Sequence, residues 1–94
     1  MIYAIFRKAK IKPESKSIFE KNVSLWIDEV KKEEYNLSFD GYWVNDNTFI
    51  FMERWSTLET YKKFTKKDEV ILQWKSLAKY FSEEIKTYEG NTIC

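Results

Sequence analysis

The spacing of apolar residues along the chain predicts four strands and three helices. Alternating apolar positions predict strands over residues 2–11, 36–44, 48–55 and 83–89, whereas apolar residues three and four apart predict helices over 15–32, 57–66 and 68–81. The resulting order, β-α-β-β-α-α-β, is the split βαβ pattern of ferredoxin-like folds, in which helices cover one face of an antiparallel sheet. We therefore expect one α+β domain over residues 1–94.

Each predicted helix begins near a residue that can cap it. Ser17 with Glu20 matches the capping box, in which a hydroxyl and a carboxylate each accept a backbone N–H of the first turn. Ser56 with Glu59 repeats the pattern before the second helix, and Asp68 is expected to cap the third.

The predicted sheet is apolar on both of its faces, although the helices can cover only one. The face expected to lack helices carries Tyr3, Ile5, Ile50 and Met52. Since a large exposed apolar face is unusual in a monomer, we expect a second copy to cover it, giving a homodimeric α+β barrel. Arg54 is predicted to serve this dimer interface.

Composition and charge exclude several classes of partner. The net charge of +1, from 16 basic and 15 acidic residues, gives no basic excess for nucleic acid. No apolar run approaches the roughly 20 residues that a membrane span needs, and the first residues lack the features of a signal peptide. The single cysteine, Cys94, excludes an internal disulfide, so we expect a cytoplasmic protein without membrane or nucleic-acid partners.

Aromatic residues are abundant, and histidine is absent. Aromatic residues make up 18% of the chain, which is more than so small a core needs, so some rings should line a cavity or an interface. Without histidine, neither a Ser-His-Asp nor a Cys-His nucleophile system can form, and a zinc site would have only carboxylates. Any catalysis would depend on Tyr, Lys, Arg, Asp or Glu side chains, or on the substrate's own reactivity.

The stretch from Phe49 to Tyr61 joins an aromatic strand to a helix. It places the indole of Trp55 at the end of the strand and the phenol of Tyr61 on the following helix. Two such rings over the end of a sheet can form the wall of a pocket, and they can equally form ordinary core.

Three motifs give the chain a family resemblance. They are Glu53-Arg54-Trp55 at a strand end, Ser56 followed five positions later by Tyr61, and Thr87-Tyr88-Glu89-Gly90 in the closing strand. With the order of elements, they resemble the antibiotic biosynthesis monooxygenase family of dimeric α/β barrels. The resemblance implies oxygenation of an electron-rich phenol or hydroquinone to a quinone, with no metal or flavin cofactor.

The resemblance also implies a site between the sheet and the helices. The small polyketide-oxidising members use a strand Asn, a Trp at the strand end, a helix Tyr and a basic residue. The matching positions here, which the resemblance implies to be catalytic, are Trp55, Tyr61 and Lys75, with lysine in place of arginine, and Phe51 stands at the Asn position. Lys75 would stabilise a phenolate, and Tyr61 would hydrogen-bond an oxygenated intermediate. The aromatic residues expected to contact the substrate are Phe6, Trp26, Phe39, Phe51, Phe64 and Trp74.

Two other interpretations stay open. The chain can be a non-catalytic protein that binds a small aromatic molecule or only keeps the scaffold, with Trp55 in the core and Lys75 in solvent. The haem-degrading branch of the superfamily uses a strand Asn, a helix Trp and a His ligand. The corresponding positions are Phe6, Phe64 and Trp74, which all differ, and the chain has no His to bind iron.

Overall fold

A computed structural model describes residues 1–94 and contains one four-stranded antiparallel sheet with three helices on one face. The elements are β1 (Tyr3–Lys10), α1 (Lys16–Lys31), β2 (Asn36–Trp43), β3 (Thr48–Trp55), α2 (Leu58–Thr65), α3 (Asp68–Ala78) and β4 (Lys86–Asn91), with a turn of 3-10 helix at Pro13–Ser15 before α1. The strand order across the sheet is β2-β3-β1-β4. The predicted order and the ferredoxin-like α+β class are therefore confirmed.

The C-terminal part of the chain departs most from the predicted boundaries. Helix α3 ends at Ala78, three residues before the predicted end, and β4 begins three residues after its predicted start. The cause is pairing with the end of the first strand. Phe81 forms a bridge with Ile11, and the Ser82 N–H donates to the Lys10 carbonyl at 2.8 Å, so the backbone here bonds to the sheet instead of continuing the helix.

The capping box of α2 forms one residue later than predicted. Thr57 is the cap, because the Thr60 N–H donates to its Oγ1 at 3.1 Å and its own N–H donates to Thr60 Oγ1 at 3.2 Å. The predicted pair of Ser56 and Glu59 was wrong. The Ser56 N–H donates instead to the Tyr35 carbonyl at 3.0 Å, which holds that residue beside β2.

The caps predicted for the other two helices were also wrong. Helix α1 begins at Lys16 after Ser15, so Ser17 and Glu20 both lie inside it. Helix α3 follows Lys67, and Asp68 is its first helical residue. In that position the Asp68 carboxylate can still favour the helix through the positive end of the helix dipole.

The register of β1 against β3 decides which side chains face the helices. Tyr3 pairs with Trp55 and Ile5 pairs with Glu53, and residues paired directly across antiparallel strands lie on the same face. Tyr3 and Ile5 are therefore buried under the helices, at 6% and 2% exposure, and their predicted place on the bare face was wrong. The apolar residues of β1 on the bare face are instead Ala4 and Phe6. Phe6 pairs with Met52, which together with Ile50 was correctly predicted to lie on this face.

The helix-facing side of the sheet contains a dense aromatic core. Phe19 of α1 packs edge-to-face on Phe49 of β3 at 5.2 Å between ring centroids. Trp26, two helical turns further along the same face of α1, packs in the same way on Phe39 at 5.4 Å. Such edge contacts let large rings fill a small core at high density.

None of the three helices is long and apolar enough to cross a membrane.

Gly41 lies where β2 passes beneath this core, and its size is critical there. A Cβ atom added to Gly41 would come within 2.5 Å of Phe49 Cζ and 2.8 Å of Ile27 Cδ1. We expect Gly41→Ala to lower the free energy of unfolding by about 1–3 kcal/mol, because one core ring must move. Denaturant titration measures the change.

Gly90→Ala is the matched control. A Cβ atom added to Gly90 meets no atom within 4 Å, so this substitution should leave stability nearly unchanged. Equal stability of Gly41→Ala and Gly90→Ala would contradict the packing described here.

Candidate functional site

A cavity of about 230 Å³ lies between the helix-facing side of the sheet and helices α2 and α3. Its apolar lining consists of Trp26, Phe64, Val70, Ile71, Trp74 and Ile85, and its polar lining consists of Arg7, Glu53, Tyr61, Thr65 and Lys75. The volume is below the roughly 300 Å³ at which pockets for drug-sized ligands begin, so the cavity suits a small ring system. A wider depression of about 460 Å³ lies on the bare face of the sheet.

Glu53 is the polar centre of this site. Its side chain is 2% exposed, and both carboxylate oxygens are occupied. The Trp55 indole Nε1–H donates to Oε1 at 2.7 Å, and Arg7 Nη1 donates to Oε2 at 2.6 Å. Glu53 and Trp55 lie two residues apart on β3, so they share a face, and Arg7 reaches Glu53 diagonally from β1.

The Arg7 guanidinium extends the network from the sheet to the helices. Its second terminal nitrogen, Nη2, donates to the Tyr61 hydroxyl on α2. The guanidinium carbon lies 5.3 Å from the centre of the Trp74 ring of α3, within the range of a cation–π contact. At 13% side-chain exposure, Arg7 is held by Glu53, Tyr61 and Trp74 from three elements of the fold.

The Tyr61 hydroxyl is protonated at neutral pH and has one hydrogen bond left to donate. Burial raises the pKa of Tyr61 to about 12, although the Arg7 cation lowers it in part. Because the hydroxyl oxygen accepts from Arg7, its proton must point elsewhere, and it donates to no protein acceptor. Tyr61 lines the cavity, so this proton is available to a molecule bound there.

The Tyr61 ring itself is fixed by two aromatic neighbours. It stacks on Tyr3 with 5.7 Å between centroids, and it meets Trp55 at 5.9 Å. Tyr3 is held in turn by donating its hydroxyl to Glu89 of β4 at 2.8 Å. The orientation of the Tyr61 phenol is thus set by packing as well as by Arg7.

Five of the nine residues predicted for the site line the cavity: Trp26, Tyr61, Phe64, Trp74 and Lys75. Trp55 lies behind the wall, 1% exposed, with its indole against Phe64 at 4.7 Å. Phe39 and Phe51 are fully buried beneath Trp26 and do not reach the cavity. Phe6 lies on the bare face of the sheet, where it packs against Tyr88 at 6.2 Å.

Sequence reasoning missed Arg7 and Glu53 as members of the site. The signal was present, because each charged residue occupies a position that alternates with buried apolar residues of its strand. Two opposite charges at such positions on adjacent strands suggest a buried pair. Nowhere in the chain do three or more His, Cys, Asp or Glu side chains gather in a way that could hold a metal ion.

The Arg7–Glu53 pair should behave as one unit in stability measurements. We expect Glu53→Leu to destabilise the protein by roughly 3–5 kcal/mol, because it leaves a buried guanidinium without its carboxylate. The double variant Arg7→Met, Glu53→Leu should lose less than the sum of the two single losses, since no charge is then left unpaired.

Glu29→Leu provides the control, because Glu29 forms an ion pair with Lys32 in which both side chains are more than 60% exposed. This substitution should change stability by less than about 1 kcal/mol. Chemical denaturation of Arg7→Met, Glu53→Leu, the double variant and Glu29→Leu measures the four losses of stability. Comparison of the double variant with the two single variants gives the coupling energy, and strictly additive losses at Arg7 and Glu53 would rule out the coupled pair.

Comparison with known proteins identifies the fold. No protein-family model matches the sequence, and no curated protein matches it. A conserved protein from Methanosarcina mazei Go1 superimposes with a TM-score of 0.89 at 18% identity, covering 96% of this chain and 91% of the other. An antibiotic biosynthesis monooxygenase superimposes with a TM-score of 0.87 at 14% identity over 100% of both chains.

A protein from Nitrosomonas europaea, provisionally named an antibiotic biosynthesis monooxygenase, gives a TM-score of 0.86 at 15% identity, covering 98% of this chain and 90% of the other. Identities this low establish the fold and leave activity undetermined. The chain has the fold of structures named antibiotic biosynthesis monooxygenases.

Proposed function

We propose that the protein is a small monooxygenase that needs no cofactor and oxidises an electron-rich phenol or hydroquinone with O₂. The observation that supports this function most is the Tyr61 hydroxyl, which Arg7 orients so that its proton is free at an apolar cavity. The fold shared with structures named monooxygenases agrees with it.

The reaction follows from the chemistry of the substrate. A phenolate transfers one electron to O₂, and the resulting radical and superoxide combine at a ring carbon that carries hydrogen. Loss of that hydrogen as a proton, with cleavage of the O–O bond, leaves a carbonyl and releases the second oxygen as water. The protein would hold the ring, exclude water and stabilise the negative charge on the oxygens.

Arg7 is better placed than Lys75 to stabilise that charge. Lys75 is exposed and contributes to the cavity from α3, whereas Arg7 is largely buried next to Tyr61. A guanidinium has five N–H groups, and hydrogen bonds to Glu53 and Tyr61 use two of those on Arg7. In this proposal Tyr61 donates to the oxygen of the intermediate, and Arg7 fixes the Tyr61 hydroxyl and keeps N–H groups that neither Glu53 nor Tyr61 uses.

A non-catalytic protein that binds a small aromatic molecule is the second candidate. Two observations favour it. Phe51, at the position where the resembling enzymes have an Asn, is fully buried and offers the substrate no polar contact. In addition, the Glu53 carboxylate neutralises Arg7, so the pair brings no net charge to the cavity.

Oxygen uptake separates the two candidates. Purified protein with a panel of hydroquinones and dihydroxynaphthalenes, and with no metal or flavin added, should consume O₂ faster than the substrates autoxidise. Tyr61→Phe should lower the rate by roughly 10²-fold, because it removes a hydrogen bond to the developing anion. Tyr35→Phe is the matched control and should retain the rate, because Tyr35 is 49% exposed and lies outside both the cavity and the sheet.

Uptake at the autoxidation rate with every compound would contradict the monooxygenase. Quenching of tryptophan fluorescence by the same compounds would then support the binding protein. An oxygen-uptake rate that is unchanged in Tyr61→Phe would contradict the proposed role of the Tyr61 hydroxyl.

We also propose that two copies pair through the bare faces of their sheets. Apolar side chains on that face remain accessible, with Met52 at 43% and Tyr88 at 63% exposure. Asp40 and Arg54 lie on the same face, and neither takes part in an ion pair within the chain. In a two-fold dimer each of these charges could meet the opposite charge of the other copy.

Charge reversal tests the dimer. Arg54→Asp should weaken self-association by at least about tenfold through like-charge repulsion, and adding Asp40→Arg should restore it. Sedimentation equilibrium measures the dissociation constants, with Lys62→Glu on the exposed side of α2 as the control. A monomer at all concentrations, or Arg54→Asp with unchanged association, would contradict this interface.

A further inference from the structure

The indole nitrogen of Trp26 is the one buried side-chain polar atom in the chain that has no hydrogen-bond partner. Trp26 is 7% exposed, so the N–H cannot rely on bulk water. A buried donor without an acceptor costs about 1–3 kcal/mol, and such donors are rare in folded proteins. Two other Trp indoles donate to carboxylates: Trp43 to Glu20 at 3.1 Å and Trp55 to Glu53.

The aromatic rings packed against Trp26 offer no oxygen to this N–H. The ring packs edge-to-face on Phe39, lies 6.3 Å from Phe51, and tilts against Trp74 at 5.3 Å. Trp26 also lines a groove between α1 and α3, but neither Glu29 nor Gln73 of that groove accepts from it. Trp26 also lines the cavity that contains the Tyr61 hydroxyl, and this cavity is more enclosed and more apolar than the groove.

We propose that the Trp26 N–H donates to an acceptor atom of the molecule that binds in this cavity. Trp26 is then a second specificity-determining donor, besides Tyr61. Trp74 lies between the two donors, because its ring contacts Trp26 on one side and the Arg7 guanidinium that holds Tyr61 on another. A flat ligand against Trp74 would present an acceptor to each.

This assignment rests on the proposed function only in taking the cavity as the binding site, and it requires no catalysis. It favours ligands with two acceptor oxygens on a fused ring over the corresponding hydrocarbon. A ligand without the second oxygen would leave the buried N–H unpaired and would bind more weakly for that reason.

Indole N–H signals in nitrogen-15 NMR test the inference directly. The probes are chromone, a flat and redox-inert fused ring with a carbonyl and a ring oxygen, and naphthalene, which has neither. The chain has four Trp residues, and the Trp26 signal is assigned from its contacts to the Phe39 and Phe51 rings. Chromone should move the Trp26 N–H signal downfield and naphthalene should not, while the Trp43 signal stays in place.

Trp26→Phe gives the matching affinity measurement. It keeps an aromatic ring but removes the N–H, so the dissociation constant for chromone should rise roughly 3- to 10-fold, and that for naphthalene should rise less. A Trp26 signal that does not move, or chromone binding that is absent or no tighter than that of naphthalene, would overturn the proposal. If chromone shifts the Trp26 signal and binds more tightly than naphthalene, but no compound raises oxygen uptake, the Trp26 contact stands and the monooxygenase is excluded.

Discussion

The buried ion pair between Arg7 and Glu53 is the interaction on which the site depends. Taking both charges out of water costs several kcal/mol per ion, so the pair is stable only when further hydrogen bonds satisfy the remaining polar atoms of both side chains. Trp55 and Tyr61 provide those bonds, one to the carboxylate and one from the guanidinium. The same four side chains thereby connect β1, β3 and α2.

This arrangement explains how a small aromatic core can also contain a polar site. Glu53 compensates the charge of Arg7, and Arg7 fixes the acceptor side of the Tyr61 hydroxyl. What remains at the cavity is a directed proton donor among apolar walls, which suits a ligand that is mostly ring with an oxygen at its edge. Because the helices cover only one face of the sheet, the other face stays accessible, and it is this face that we propose for pairing with a second copy.

The order of elements could be predicted from the sequence because strand and helix periods are local properties. The faces of the sheet could not, since β1 has apolar residues on both sides and only its pairing with β3 assigns them. That is why Tyr3 and Ile5 were expected on the bare face. The site residues also differ in whether local pattern or long-range pairing places them. Tyr61 and Trp74 lie on the apolar faces of amphipathic helices, whereas Arg7 joins the site through a partner 46 residues away.

Side-chain NMR of arginine tests the central interaction most directly, because the chain contains only two arginines, Arg7 and Arg54. Within the chain, Arg7 hydrogen-bonds through both terminal nitrogens, whereas Arg54 is exposed and has no partner. The Arg7–Glu53 pair predicts slowly exchanging, resolved guanidinium N–H signals for Arg7, which Glu53→Gln alters and Arg54→Asp leaves in place. Two averaged, rapidly exchanging sets would show that Arg7 is not held by Glu53 and Tyr61, and the account of the site would fail.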